Sequence, residues 1–420
     1  MGSGSSVLVE ACQICSYGNL QPVLFLGYQP PPTQMRAIGQ RIPEQVGYPL
    51  QWLFCPKCAL VQLGVVVDPK IIFPPEFPYT SGTTRVLRDN FAEMYEECRV
   101  ILPLEPRDLV VDIGSNDGTL LSNFKKGGHR IQGIEPTQVG NIANQQEIPT
   151  LIAYFDKEAA LKIKKEQGPA TLITATNVFA HVEEIHDVVE NILLLLGERG
   201  VFISESHYLP GLIEKLQYDT IYHEHLRYYS LSSLRYLLEM HGLEIIHAKR
   251  IPTHGESLRA YASRKGVHPV RSSVAEILNY EKKHGATVKN LKEFQARVAL
   301  SKLQLLALLY DIKKQGHRVY GVGAAARATT LINHVGLDDA ILDCVLEVKG
   351  SLKIGKCVPG TMIPVREESC LMTDQPEHAL LLSWHIAEDL IPKLTQKGYR
   401  GGYIVPLPTP RLIQGDGMVS

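Results

Sequence analysis

Apolar and polar positions along this chain follow two alternating rhythms. Between residues 108 and 265, short apolar runs rich in β-branched residues, at Leu109–Ile113, residues 131–134, residues 150–153, Ala170–Thr176 and residues 201–204, alternate with segments of helical spacing. That alternation predicts parallel strands joined by crossover helices, an α/β, Rossmann-like sheet. Residues 231–242 carry an apolar helical face, and Leu243–Ile251 and residues 257–263 predict two strands joined through Pro252-Thr253-His254-Gly255. Such a pair would close the sheet with an antiparallel hairpin. Ahead of the sheet, Val86, Leu87, Phe91, Met94, Tyr95, Cys98 and Ile101 stand near helical spacing, which predicts a helix over residues 85–102. Residues 270–314 read as helical and charged. A second α/β layer follows, with strands expected at residues 319–322, 340–346, 379–383 and Gly402–Val405.

The run Val110-Val111-Asp112-Ile113-Gly114-Ser115-Asn116-Asp117-Gly118-Thr119-Leu120-Leu121 joins a buried-type strand to a glycine turn and a helix start. In an open α/β sheet that junction forms the ligand crevice. It lacks the G-x-G-x-x-G dinucleotide fingerprint. Its D-x-G-x-x-x-G spacing, from Asp112 through Gly114 to Gly118, resembles motif I of class I S-adenosylmethionine (SAM) methyltransferases, where close backbone approach suits the aminoacyl part of SAM. Asn116 lies within the turn. Glu135 ends the next strand, where an acidic side chain can hold both hydroxyls of a ribose. A turn without any ligand is the competing reading. Further along, Tyr154-Phe155-Asp156 can stack on and hydrogen-bond adenine, or can be an edge aromatic followed by a helix cap. Asn177, His181 and the Glu205-Ser206-His207-Tyr208 run end two more strands at the same carboxyl edge, and a ligand site there accounts for all of them.

Bulk properties narrow the classes. The 420 residues have room for two or three domains. A formal net charge of -1 carries no footprint for nucleic acid or anionic membranes. No apolar run approaches the roughly 20 residues that span a bilayer, so the expected protein is soluble and cytoplasmic. Met1 to Ser6 resembles a flexible tail and is set aside from fold reasoning.

Among eight cysteines, Cys12-Gln13-Ile14-Cys15 and Cys55-Pro56-Lys57-Cys58 form two C-x-x-C knuckles separated by proline- and glycine-rich sequence. Four thiolates make the closed tetrahedral set of a structural zinc, which leaves no open position for catalysis. A redox pair or labile disulfide is the alternative. Cys98, Cys344, Cys357 and Cys370 read as ordinary thiols. Residues 69–84, with prolines and hydroxyls and including Tyr79, suit a loop that faces a substrate.

Tyr218-Asp219-Thr220-Ile221-Tyr222-His223-Glu224-His225-Leu226-Arg227-Tyr228-Tyr229 is the most polar-aromatic stretch. Imidazoles, a carboxylate and phenols supply what proton abstraction beside a carbonyl requires: a base near neutral pH, a group to orient it and donors for the enolate. A His-x-His metal site competes, without further ligands in sequence nearby. In the second layer, Val319-Tyr320-Gly321-Val322-Gly323-Ala324-Ala325-Ala326-Arg327 repeats the strand, turn and helix logic. It can bind a nucleotide diphosphate or serve packing alone.

Taken in order, the two knuckles, the Asp112–Gly118 turn, Asn177 to His181, Tyr222-His223-Glu224-His225, Thr253-His254-Gly255-Glu256-Ser257-Leu258-Arg259, the Gly321 turn, Pro359-Gly360-Thr361 and Leu382-Ser383-Trp384 resemble the sugar C-methyltransferases of deoxysugar biosynthesis over essentially the whole chain after residue 10. That resemblance implies a zinc-binding lobe (residues 1–84), a class I SAM domain (85–268) and a C-terminal Rossmann-like domain that holds a sugar nucleotide (269–420). It implies methylation at C3 of a nucleotide-linked 4-keto-6-deoxy sugar, with His225 as base, Glu224 and Tyr222 orienting it or binding sugar, and Tyr79 reaching the substrate. The expected cofactors are SAM and structural zinc; the expected state is a monomer or weak oligomer. Arg327 stands where many relatives carry lysine, and Glu347-Val348-Lys349-Gly350-Ser351 departs from a more acidic stretch, so nucleotide and sugar stay open. Two other functions compete: O- or N-methylation of a natural product, which needs no carbon acid, and a non-enzymatic binding platform.

Overall fold

The carboxyl ends of a seven-stranded sheet organise the molecule. In the computed structural model, residues 5–42, 44–73, 82, 84–102 and 104–414 are described. The strands are β1 (Leu109–Ile113), β2 (Arg130–Ile134), β3 (Thr150–Leu151), β4 (Ala170–Thr176), β5 (Leu196–His207), β6 (Leu243–Ile251) and β7 (Ser257–Arg264), in the order β6-β7-β5-β4-β1-β2-β3. The five from β3 to β5 are parallel, and β7 runs antiparallel to both β5 and β6. All of β1 is buried, as a parallel strand covered on both faces must be. Helix α1 (Arg85–Ile101) contributes Leu87, Phe91, Met94 and Cys98 to one face of that core.

Gly118 shows why the turn before α2 (Thr119–Lys126) takes glycine. Its φ is +79°, and a Cβ there would lie 2.8 Å from Ile148 Cδ1 and 3.0 Å from Ala143 Cβ.

The N-terminal lobe has antiparallel strands at Gln21–Gln29, Tyr48–Phe54 and Val61–Leu63. Tyr48, Leu50, Trp52 and Phe54 alternate inward, and the Trp52 ring stacks 5.6 Å from Phe294. The fourth strand of this sheet comes from far along the chain: Arg227–Tyr228 pairs with Gln62 and Val61. The lobe is therefore sewn to the segment that carries His225.

After α3 (Leu231–Met240) and a helix at Ser272–His284 comes the long α4 (Val288–Lys314), whose Phe294 meets Trp52. The C-terminal sheet comprises β8 (Val319–Val322), β9 (Cys344–Glu347), β10 (Val365–Glu367), β11 (His378–Leu381), β12 (Gly402–Val405) and β13 (Arg411–Ile413), in the order β10-β9-β8-β11-β12-β13. It is parallel except for β13. Helix α5 (Ala326–Val335) follows β8.

Several local expectations need correction. The strand expected from residue 340 starts at Cys344, because Asp338 Oδ1 accepts the amides of Ala340 and Ile341 and holds them in a turn. The strand expected over residues 150–153 stops at Leu151. Ser6 is not tail: Ser6–Leu8 pair antiparallel with Val65–Val67. Among the described residues no helix is long and apolar enough to cross a membrane.

Candidate active site

Five chain segments meet at the carboxyl edge of the central sheet. The turn after β1 packs on the segment after β4, so closely that a Cβ on Gly114 would lie 2.7 Å from Val178 Cγ2. The next residues of that segment meet the loop that carries His225: Leu226 N donates to Ala180 O at 2.7 Å, and the His181 and His225 rings lie 4.9 Å apart. His207, at the end of β5, stands 4.9 Å from His225 and 5.5 Å from His254 of the β6–β7 connection. His225 thus sits on the same edge as the glycine turn and Glu135.

The His225 geometry fixes its chemistry. Its Nδ1 lies 2.8 Å from the Thr220 carbonyl, an acceptor only, so Nδ1 carries the hydrogen and Nε2 keeps its lone pair. Burial, then the neighbouring His181, lowers its pKa well below the ordinary imidazole value, with His254 and Arg327 adding to the effect. The ring is neutral at physiological pH. Tyr222 lies against it, centroids 4.1 Å apart. Glu224 is buried, its Oε1 has no hydrogen-bond partner, and burial pushes its pKa up to about 7 against the pull of Lys353. A buried carboxyl group whose pKa lies near neutral pH is equipped to donate or accept a hydrogen bond.

Among the residues expected on the cofactor side, Glu135 and Asn116 are in direct contact. Glu135 is buried; its Oε2 accepts from Asn116 N at 3.1 Å and its Oε1 from Thr137 N at 2.9 Å. Asn177, at φ +57°, brings its Nδ2 within 3.4 Å of His254 Nε2, while its Oδ1 is buried without a partner. Asp112 lies inside β1, takes the Thr174 hydroxyl at 2.7 Å, and is raised to about 7 by burial. Phe155 is half-buried, and Asp156 caps the helix Lys157–Gln167 by accepting from Ala159 N. An unpaired Asn177 oxygen, a Glu135 carboxylate at the strand end and a turn that excludes side chains fit SAM. Tyr79 lies outside the described residues.

Sequence reasoning grouped His223 with His225, but the structure separates them. His223 turns toward the N-terminal lobe, edge-on to Tyr48 at 5.8 Å. The other imidazoles at the centre are His181, His207 and His254. The polar ends of β4 and β5 carried the signal for the first two. Nothing local announced that His254 would fold back onto them.

Cys12, Cys15, Cys55 and Cys58 present sulfurs all within 4.8 Å of one another, and among the described residues this is the one cluster suited to a metal. Hydrogen bonding from Cys58 draws Cys12 down to about 5, while burial drives Cys15 up to about 11. Four sulfur donors this close make the closed set that a zinc ion takes as thiolates, so the residues fit zinc.

Buried neutral imidazoles predict acid sensitivity. Burial holds His181, His223, His254 and His334 near pKa 4, against 6.5 unfolded. Below pH 6.5 the unfolded chain binds these protons first, so the stability they contribute is complete above that pH and is lost as pH falls through about 4. The raised carboxyls Asp112 and Glu224 act oppositely, favouring the fold below about pH 4.5 and losing that contribution as pH rises through about 7. Four imidazoles outweigh two carboxyls. Calorimetry across pH should find Tm falling progressively from pH 6.5 to pH 4.

A parallel sheet closed by an antiparallel hairpin, with a glycine turn after β1 and an acidic residue after β2, defines a class I SAM methyltransferase domain. Three family descriptions cover most of the chain: "Putative zinc binding domain" over residues 12–73, "Methyltransferase domain" over 81–248 and "C-methyltransferase C-terminal domain" over 252–408. The chain is 30% identical over 412 residues to the C-methyltransferase NovU of Streptomyces niveus, an alignment covering 97% of this chain and 98% of that protein. It belongs to the C-methyltransferase family, and its cofactors are SAM and zinc. Among solved structures, PH0226 from Pyrococcus horikoshii matches with 13% identity and a TM-score of 0.35, covering 47% of this chain and 98% of its own. The CcbJ methyltransferase of Streptomyces caelestis matches with 12% identity and a TM-score of 0.34, covering 42% and 89%.

Proposed function

We propose that this SAM-dependent C-methyltransferase methylates C3, the carbon beside the ketone, of a nucleotide-linked 4-keto-6-deoxy sugar. The observation that carries the reading is the His225 imidazole, neutral, oriented through Nδ1 by a main-chain carbonyl, and buried on the cofactor edge. A carbon-bound hydrogen is acidic only when an adjacent carbonyl takes up the charge, so a C-methyltransferase of this design needs a base and an enolate-stabilising donor.

His225 Nε2 takes the proton from C3, and the C–H electron pair moves into the ketone as an enolate. Tyr222 and Glu224 supply hydrogen bonds to the sugar from beside the base, and Tyr79 is a further candidate donor. SAM, when bound, supplies an electrophilic methyl group, held by Gly114, Asn116, Gly118, Glu135, Phe155, Asn177 and His181. Asp112, raised by burial, is poised to ionise when an ammonium group lies nearby. After transfer, His225 returns its proton to solvent.

A symmetry between the two halves supports a nucleotide in the C-terminal one. Ala324 N donates to Glu347 Oε2 at 3.1 Å, as Asn116 N does to Glu135 at 3.1 Å. Each glycine turn is thus latched to a glutamate at the end of the adjacent strand, the position suited to ribose hydroxyls. Lys353 is half-buried beside this turn, donating to Ala324 O at 2.7 Å, where its ammonium group suits a diphosphate.

The test is incubation in heavy water of dTDP-, GDP- and CDP-linked 4-keto-6-deoxyhexoses with the enzyme and S-adenosylhomocysteine. Deuterium should enter C3 of at least one without methyl transfer. Turnover with SAM while the C3 proton is retained would favour O- or N-methylation.

A further inference from the structure

We infer that Asp219, Arg327 and Trp384 are positioning residues: a clamp from the C-terminal half that fixes the carbonyl on which His225 is oriented. The inference rests on His225 being the base. Asp219 is fully buried. Its Oδ2 accepts from Arg327 Nε at 2.7 Å and from Trp384 Nε1 at 2.8 Å, and its Oδ1 accepts from Arg327 Nη2 at 2.9 Å. The guanidinium also lies 5.0 Å from the Trp384 ring. Three groups therefore lock one carboxylate, two of them through the planar fork that only arginine offers.

The lock brackets the orienting carbonyl. One residue past Asp219, Thr220 O receives the His225 Nδ1 hydrogen. One residue further, Ile221 O accepts from Thr330 Oγ1 at 2.9 Å, a second tie to the same helix α5. Thr220 Oγ1 donates back to Gln217 O at 2.8 Å, closing the turn from the other side. A peptide held on both flanks by one helix cannot rotate its carbonyl independently of that helix. The base is thus aimed only while the C-terminal half is docked. Arg327, expected from sequence to mark nucleotide selection, is spent on this contact.

The clamp also places a permanent cation near the base. The groups facing His225 are His181, His207 and His254 from the three strand-end segments, Tyr222 and Tyr228 from its own loop, and Arg327 from α5. Two variants separate aim from charge: R327K keeps the cation and loses the fork, whereas R327Q loses both.

The test uses the full chain with its zinc and SAM or S-adenosylhomocysteine. Isotope-labelled histidine reports the His225 tautomer by NMR without any sugar, and deuterium entry at C3 reports proton abstraction. In R327K and D219N the fixed Nδ1–H tautomer should be lost and exchange should fall about 10- to 100-fold, with SAM affinity within about twofold. In R327Q the acid limb of the rate profile should also move to higher pH, because losing the cation lets His225 bind its proton more readily. R327K should leave that limb in place. Unchanged tautomer and exchange in both R327K and D219N would overturn the clamp, as would losses that merely track falling SAM affinity. Retained exchange in H225N would instead refute the base assignment, while the tautomer signal still decides the clamp.

Discussion

His225→Asn lowers kcat for methyl transfer by about a thousandfold or more, while the Kd for SAM stays within about twofold. General-base catalysis contributes about 10²- to 10⁴-fold, and a carbon acid lies at the upper end because water cannot deprotonate it at a useful rate. Asparagine retains much of the imidazole's volume and can still donate to Thr220 O, so the loop keeps its course. The variant removes the lone pair and little else. SAM affinity is the internal control, since the residues expected to hold it are the turn after β1 and the ends of β2 and β4. Isothermal titration with SAM and steady-state rates on one preparation give both numbers. A fall in both would mean that the loop, rather than the base, had been lost.

Removing zinc should sharply reduce activity although no chemistry occurs at the metal. Cys55 and Cys58 immediately precede the strand Val61–Leu63, whose partner Arg227–Tyr228 begins two residues after His225. Leu63 N donates to Leu226 O at 2.9 Å, and Arg227 holds the Val182 and Glu183 carbonyls, just beyond His181. The metal site is thus linked to the His225 segment through one short sheet. Structural zinc binding is worth on the order of 10 kcal/mol in small domains. Without it, four sulfurs crowd within 4.8 Å of one another with no cation to hold them together. Cys55→Ser, or prolonged chelation, should lower Tm by at least about 5 °C and reduce methyl transfer at least about tenfold. Normal activity in metal-free protein would show the lobe to be independent of the catalytic loop.

What could be read from sequence was what is encoded locally. The β1 turn, the Glu135 position, the β6–β7 hairpin and the two cysteine knuckles each depend on residues close in the chain, and their patterns sufficed. The same holds for the polar ends of three strands, because a common sheet edge follows from parallel order. What stayed hidden depends on distant partners. Arg227–Tyr228 is too short to carry a strand rhythm, and its pairing with the N-terminal lobe is written only in three dimensions. Asp219 looked like one polar residue among many until Arg327 and Trp384 closed on it from the other half. His223 and His225 are two positions apart, yet one faces Tyr48 and the other His181, a division made by the turn at Tyr222, whose carbonyl accepts His225 N. Periodicity also overextended β9, because it registers apolar residues 341 and 342 but not the Asp338 side chain that holds them in a turn.

The central claim is that the new bond is carbon to carbon, beside a ketone, on a sugar nucleotide. Turnover with SAM carrying a carbon-13 methyl group, followed by NMR of the sugar product, locates that bond directly. The label should appear on C3, coupled to ring carbon and accompanied by loss of the original C3 proton; label on oxygen or nitrogen, with that proton retained, would contradict C-methylation beside the ketone.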